Sequence, residues 1–253
     1  PEDITTYEDG TKSVVSISSD VWFSQSIEAL NNGIDYINSI EKYSKRIVGY
    51  HLTCGNTGEW FYYNYREKGI DYSESNRKGF TEWLKKKYIQ IENLNKDWGK
   101  TFQDFNDVCI PKIPCNLSGI NTNRVILKKG NDDVIDFYSY INEMNVKRIE
   151  QLSHFVKMKT NRRSLVMIFY GYCFELPDPK SGHCCLDELL KSENIDLLAS
   201  PISYQDRAQG GMLAYMAPVD SVMKNGKLWM VEDDTRTFLA VDKTEEDASF
   251  NAY

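Results

Sequence analysis

With 253 residues, 41% of them hydrophobic, the chain can bury one large core, and a single domain is expected. A net charge of −7 argues against a nucleic-acid partner, because phosphate binding needs clustered Lys and Arg, and the one compact basic run, Lys85-Lys86-Lys87, reads as a solvated helix stripe. No stretch reaches the ~20 consecutive apolar residues of a membrane helix, so no membrane partner is expected either.

In chain order, a first β-branched run at 14–18 is predicted to be a strand buried on both faces. Ile27, Leu30, Ile34 and Ile37 then share one helical face, and a second strand is predicted over 47–52. A longer excursion follows. It carries a helix with Phe80, Trp83, Leu84 and Tyr88 on one face, then Ile91, Leu94 and Trp98 before a stop at Gly99, then a turn-rich stretch with Pro111, Pro114 and Gly119. Val134, Tyr138, Ile141, Ile149, Leu152 and Val156 line a long helix, with Asp132 and Asp133 near its start and Lys157 and Lys159 near its end, as its dipole favours. Three further buried strands are predicted at 165–172, 195–200 and 228–232.

Strands alternating with helices define the α/β class and leave an open doubly wound sheet or a closed eight-stranded barrel. Neither G-x-G-x-x-G nor G-x-x-x-x-G-K-[ST] occurs, which favours the barrel. The six cysteines do not make the dense framework of a small secreted domain, so free thiols are expected. His51 with Cys54, and His183 with Cys184 and Cys185, lack paired C-x-x-C spacing, and no metal or other cofactor is expected.

In a barrel, the carboxyl ends of the strands open on one shared mouth. The loop after 47–52 delivers Glu59 beside the aromatic run Trp60, Phe61, Tyr62 and Tyr63, and the run 228–231 ends in Glu232, followed by Asp233, Asp234, Thr235 and Arg236. Two facing carboxyls are what glycosidic cleavage requires, one protonated to donate to the leaving oxygen and one ionised. An aromatic pocket disfavours a charged carboxyl and suits Glu59 to be the acid, while Arg236 would keep Glu232 ionised. Sugar C–H faces stack on aromatic rings, so Trp60, Tyr172 and Tyr204 are candidate substrate contacts, with Asn56, Asp234 and Arg236 as polar ones. Glu175 is a reserve carboxylate at the end of the strand at 165–172.

The stretch Phe80-Thr81-Glu82-Trp83-Leu84-Lys85-Lys86-Lys87-Tyr88, followed by Ile91-Glu92-Asn93-Leu94-Asn95-Lys96-Asp97-Trp98-Gly99-Lys100-Thr101-Phe102, resembles the β-galactosidases of glycoside hydrolase family 42. There the same pattern follows the fourth barrel strand, which delivers the acid/base glutamate, and the resemblance implies Glu59 for that role. Segments 196–204 and 226–237 look like the sixth and seventh strands, and the seventh carries the nucleophile in this clan, which implies Glu232. The implied architecture is a (β/α)₈ TIM barrel with strands three to seven present: a single partial catalytic domain over 1–253 with an elaborated loop and helical insertion at about 56–130. Such a piece would expose apolar sheet edges. The implied activity is retaining cleavage of a β-glycosidic, β-galactoside-like carbohydrate substrate.

Two departures stand out. Gly58 precedes Glu59 where the clan usually has Asn, and the family's zinc-binding cysteine cluster is not recognisable. The first keeps open a carbohydrate-binding barrel without activity. An α/β hydrolase or transferase acting on other substrates is disfavoured by the missing G-x-S-x-G elbow and the scarcity of histidine.

Overall fold

The computed structural model of the protein describes residues 2–113, 130–176, 178–206 and 210–233. Its centre is a four-stranded, all-parallel sheet in the order β3 (Gly49–His51), β4 (Leu165–Phe169), β5 (Leu197–Pro201) and β6 (Leu228–Glu232). Parallel neighbours cannot be joined by a hairpin, so each pair is separated by helical crossovers. These are α3 (Glu74–Tyr88), α4 (Ile91–Trp98) and α5 (Asp132–Lys159) before β4, then α6 (Leu186–Lys191) before β5 and α7 (Val219–Lys224) before β6.

The run at 14–18 is not the first strand of this sheet. β2 (Lys12–Val15) pairs antiparallel with β1 (Ile4–Thr6) in a separate hairpin. Its apolar run is broken by serines with other partners: Ser16 N–H donates to the Asp3 carbonyl, and Ser19 caps the next helix by accepting from Trp22 N–H at 3.0 Å. That helix is α1 (Asp20–Ser39), followed by the single turn α2 (Glu41–Ser44).

Burial on both faces holds for β5, where Leu198 and Ala199 are fully enclosed, while β4 encloses one face, Val166 and Ile168, and leaves the other partly covered. It fails at the margins, because each edge strand has only one neighbour. Val48, just before β3, is 76% exposed, and on β6 Leu228 is 54% exposed.

Helix α5 serves two cores in succession. Its N-terminal half sets Val134, Phe137, Tyr138 and Ile141 against Phe80, Leu84, Tyr88 and Leu94 of α3 and α4. Its C-terminal half lays Val146, Ile149, Leu152 and Val156 against the sheet residues Val166, Ile168 and Leu198. Each such side chain contributes about 1.5–3 kcal/mol on burial, so apolar packing dominates the stability of both halves. The helix end is pinned to the sheet by buried Lys157, which pairs with Asp196 and donates to the Ser164 carbonyl at 2.9 Å.

One polar hub joins the two helical layers. Asp136 of α5 is buried and accepts from Trp98 Nε1 at 3.0 Å, from the Tyr88 hydroxyl at 2.7 Å and from Lys87. Asn95 closes the end of α4 by accepting from Phe102 N–H and donating to its carbonyl, both at 2.8 Å, beyond the helix stop at Gly99. Thus Trp98, Lys87 and Tyr88 of the 80–102 stretch dock α3 and α4 onto α5. A buried carboxylate that loses its donors, or donors that lose it, carry the full desolvation cost. Replacing Asp136 with Ala is therefore expected to lower the unfolding free energy by about 3 kcal/mol, and Tyr88→Phe by about 1 kcal/mol, in urea melts; equal melts for wild type and both variants would show that the hub adds nothing.

Candidate active site

All four parallel strands end at the same edge of the sheet, and the segments that leave them meet there. After β3 the chain makes a tight loop: Trp60 N–H donates to the Cys54 carbonyl at 2.7 Å, Asn56 N–H to the Phe61 carbonyl at 2.8 Å, and Glu59 N–H to the Asn56 carbonyl at 3.1 Å. Thr57, Gly58 and Trp60 all have positive φ, at 56°, 85° and 65°. This left-handed backbone gives a physical reason for glycine at 58, since a side chain there would be strained. Trp60 bears that strain because its surroundings over-determine it. Its indole Nε1 donates to the Leu52 carbonyl at 2.9 Å, and Asn145 Nδ2 of α5 donates to its own carbonyl at 2.9 Å.

Trp60 is consequently not a sugar-facing ring. It is fully buried in the main core, where it anchors the loop that carries its neighbour, and no face remains for a ligand. Asn56 is exposed at the outer turn and contributes its backbone to the loop.

Glu59 is half-buried, and both its carboxyl oxygens have hydroxyl partners. Tyr172 donates to Oε1 at 2.7 Å, and the Thr57 hydroxyl lies against Oε2. Tyr172 follows β4 and is itself buried. Burial first, then the charge and the hydrogen bond of Glu59, then Glu232 and Tyr204, push its hydroxyl far above the usual phenol range. The phenol therefore remains a donor to Glu59. Glu59, Tyr172, Tyr204 and Glu232 come from the ends of four different strands.

Glu232 closes β6 in register with Pro201 and is exposed. Tyr204, just past β5, is 37% exposed, and its N–H donates to both carboxyl oxygens of Glu175, at 3.0 and 3.2 Å. Glu175 thus shapes the loop of Tyr204. Asp234 and Arg236 lie outside the described residues.

The residue that sequence reasoning undervalued is His183. Its ring is buried, its Nε2 sits 2.8 Å from the Glu59 carbonyl, and Gly171 N–H donates to its Nδ1 at 3.2 Å. A carbonyl only accepts and an amide N–H only donates, so the ring is the neutral tautomer with its proton on Nε2. Both nitrogens are engaged, which removes His183 as a metal ligand. Among the described residues no cluster of three or more His, Cys, Asp or Glu could hold a metal. Burial also pushes the Cys54 thiol up to about 11 and Cys185 to about 12, so neither is a thiolate near neutrality. The signal for His183 was its rarity, one of three histidines, beside Gly182 in a polar loop.

A cavity of about 890 Å³ lies elsewhere, lined by Asp20, Trp83, Glu143 and Arg148 on the helical side, and none of Glu59, Tyr172, Tyr204 or Glu232 borders it. In barrel folds the carboxyl ends of the strands, rather than the helical side, carry the site.

The glycoside hydrolase family 42 model, described as β-galactosidase, matches residues 60–234. A β-galactosidase LacZ of Heyndrickxia coagulans is 42% identical over 45 residues, which cover 16% of this chain and 7% of that protein. Among solved structures, the catalytic domain of a β-amylase from Paenibacillus polymyxa superposes with a TM-score of 0.66 at 17% identity, over 92% of this chain and 61% of that one. The β-galactosidase of the psychrophilic Marinomonas ef1 gives 0.54 at 13% identity, over 79% and 27%. The chain therefore spans less than two thirds of the length of each of these relatives, and its mixed α/β fold with a parallel sheet is shared with glycosidases.

The buried imidazole has a consequence for stability. Burial drives the His183 ring down to about 3, whereas an unfolded histidine takes its proton near 6.5. Between those values the unfolded state holds the extra proton, so stability falls as pH drops. Urea melts from pH 7 to pH 3 are expected to lose up to about 1.4 kcal/mol per pH unit to this group below about pH 6. His183→Gln should remove that part of the slope; an identical slope in the variant would show the ring to be protonated in the fold.

Proposed function

The chain belongs to the glycoside hydrolase 42 family of β-galactosidases, and from that premise we propose that it cleaves β-glycosidic bonds with retention, Glu59 acting as acid/base and Glu232 as nucleophile. Glu59 protonates the leaving oxygen while Glu232 attacks the anomeric carbon and forms a glycosyl-enzyme intermediate. Glu59 then removes a proton from the water that hydrolyses it. The observation that carries this reading is that Glu59, held by the buried Tyr172 hydroxyl at 2.7 Å on the loop after β3, and Glu232, which closes β6, stand at the carboxyl edge of one parallel sheet. On this reading the four strands are the fourth to seventh of an eight-stranded barrel, which the exposed margins of β3 and β6 support. Tyr172 acts through Glu59, and Tyr204 with Asn56, Asp234 and Arg236 contacts the carbohydrate substrate.

A binder without turnover is the second reading, favoured by Gly58 in place of the clan's Asn. Aryl β-galactosides separate the two. The intact protein is expected to release the aryl group and to form the β-anomer first in NMR time courses. Glu59→Ala should lower turnover of substrates with poor leaving groups by about 10²–10⁴-fold, and on a dinitrophenyl substrate, whose departure needs no proton, added azide should speed turnover and yield the β-glycosyl azide. Glu232→Ala should be inactive. Sugar binding with no turnover by the wild type would establish the binder, and an α-anomer formed first would overturn retention.

A further inference from the structure

We infer that His183 is a positioning residue that holds Glu59 from its main-chain side while Tyr172 holds its carboxyl end; the inference rests on the acid/base reading of Glu59. The imidazole donates through Nε2 to the Glu59 carbonyl at 2.8 Å, and its Nδ1 takes the Gly171 N–H at 3.2 Å. Its plane is fixed by near-parallel stacking on Phe61, at 4.1 Å and 13°, and on Tyr170, at 4.4 Å and 11°. Neither translation nor ring rotation is left to it.

The segment that carries His183 is laced to the segment that carries Glu59. Tyr62 N–H donates to the Ser181 carbonyl at 3.2 Å. Asn145 Nδ2 donates both to the Trp60 carbonyl at 2.9 Å and to the Gly182 carbonyl at 3.1 Å, and Tyr170 reaches that same Gly182 carbonyl at 2.7 Å. Gly182 has φ +90°, and a Cβ there would meet Asn145 Nδ2 at 2.6 Å and the Tyr62 ring at 3.0 Å. Only glycine permits this approach. The Glu59 carbonyl thus has one fixed donor, presented by a residue that never meets the substrate because it is buried.

The geometry explains why a histidine is used. The residue must donate at one end and accept at the other, in a flat ring that fits against two aromatics, and neutral imidazole does all three. Burial keeps it in that state across the acid range. Glu59 sits between two residues of left-handed or strained backbone, so its side chain is aimed only as well as its peptide is held. A misplacement of about 1 Å at a catalytic group costs on the order of 10²-fold in rate.

The test uses the intact protein and two aryl β-galactosides, phenyl and 2,4-dinitrophenyl. The first needs a proton on its leaving oxygen; the second departs without one. His183→Phe keeps the stacking ring and loses the donor, His183→Asn keeps an acceptor near Gly171 but falls short of Glu59, and His183→Gln reaches Glu59 with an amide donor. If His183 aims Glu59, the Phe and Asn variants lose roughly 10²-fold in kcat/KM on the phenyl substrate and remain near wild type on the dinitrophenyl one. The Gln variant should recover most of the loss. Equal losses on both substrates, no loss on either, or no recovery in Gln would overturn the inference, and the Asn and Gln pair decides it should Phe fail to fold. Glu59→Ala is measured alongside: if it lacks the leaving-group split, the acid/base reading itself fails, and if it shows the split while the His183 variants do not, only the positioning role fails.

Discussion

The central constraint on the described residues is one long helix that is buried over most of its length. α5 runs for 28 residues between β3 and β4 and meets two different cores, helices at its start and the parallel sheet at its end. Polar side chains on its enclosed faces cannot stay in water, and several become fixed connectors instead. Asp136 receives the donors of α3 and α4; Arg148, buried, donates to the carbonyls of Ile17 and Ser18 and thereby fastens the entry to α1; Lys157 ties the sheet. Asn142 and Asn145 hold the loop at 178–184 and the carbonyl after Glu59.

The scaffold is therefore stiff where the candidate chemistry needs it. The loop at 54–61 packs four residues of positive φ around Glu59, Gly55, Thr57, Gly58 and Trp60, a conformation that costs of order 1–3 kcal/mol at each non-glycine position. That strain is offset by the burial of Trp60 and by hydrogen bonds from α5 and the loop of His183. Rigid support behind a half-buried acid, with an open front, is the arrangement a substrate-positioning site requires. The polar pairing of Glu175 with the Tyr204 backbone does the same for the opposite side of the mouth.

The stretch that carries the family resemblance is built into the helical core. Trp83 donates to Glu143, Trp98 and Tyr88 to Asp136, and Asn95 closes α4. Losing one of these residues would leave a buried donor without its acceptor, which costs more than a lost surface contact. The residues around Glu59 answer to local backbone geometry as well, which is how Gly58 can stand where Asn is usual: with φ at +85° the position favours glycine.

What the amino-acid order determined alone was whatever depends on neighbours a few residues apart. The parallel strands at β3 to β6, the helix stop at Gly99, the charge order along α5 and the acids at strand ends all follow from periodicity and capping, which are short-range. Tertiary structure alone decided the rest, because burial and pairing are set by residues far off in the chain. The serines after Val15 sent the first apolar run into a hairpin; the lack of a second neighbour left β3 and β6 exposed at the margins. Trp60 turned inward because Leu52 and Asn145 offered it partners, and His183, more than a hundred residues from Glu59, became its support because two aromatic rings and one amide fixed its plane and its tautomer.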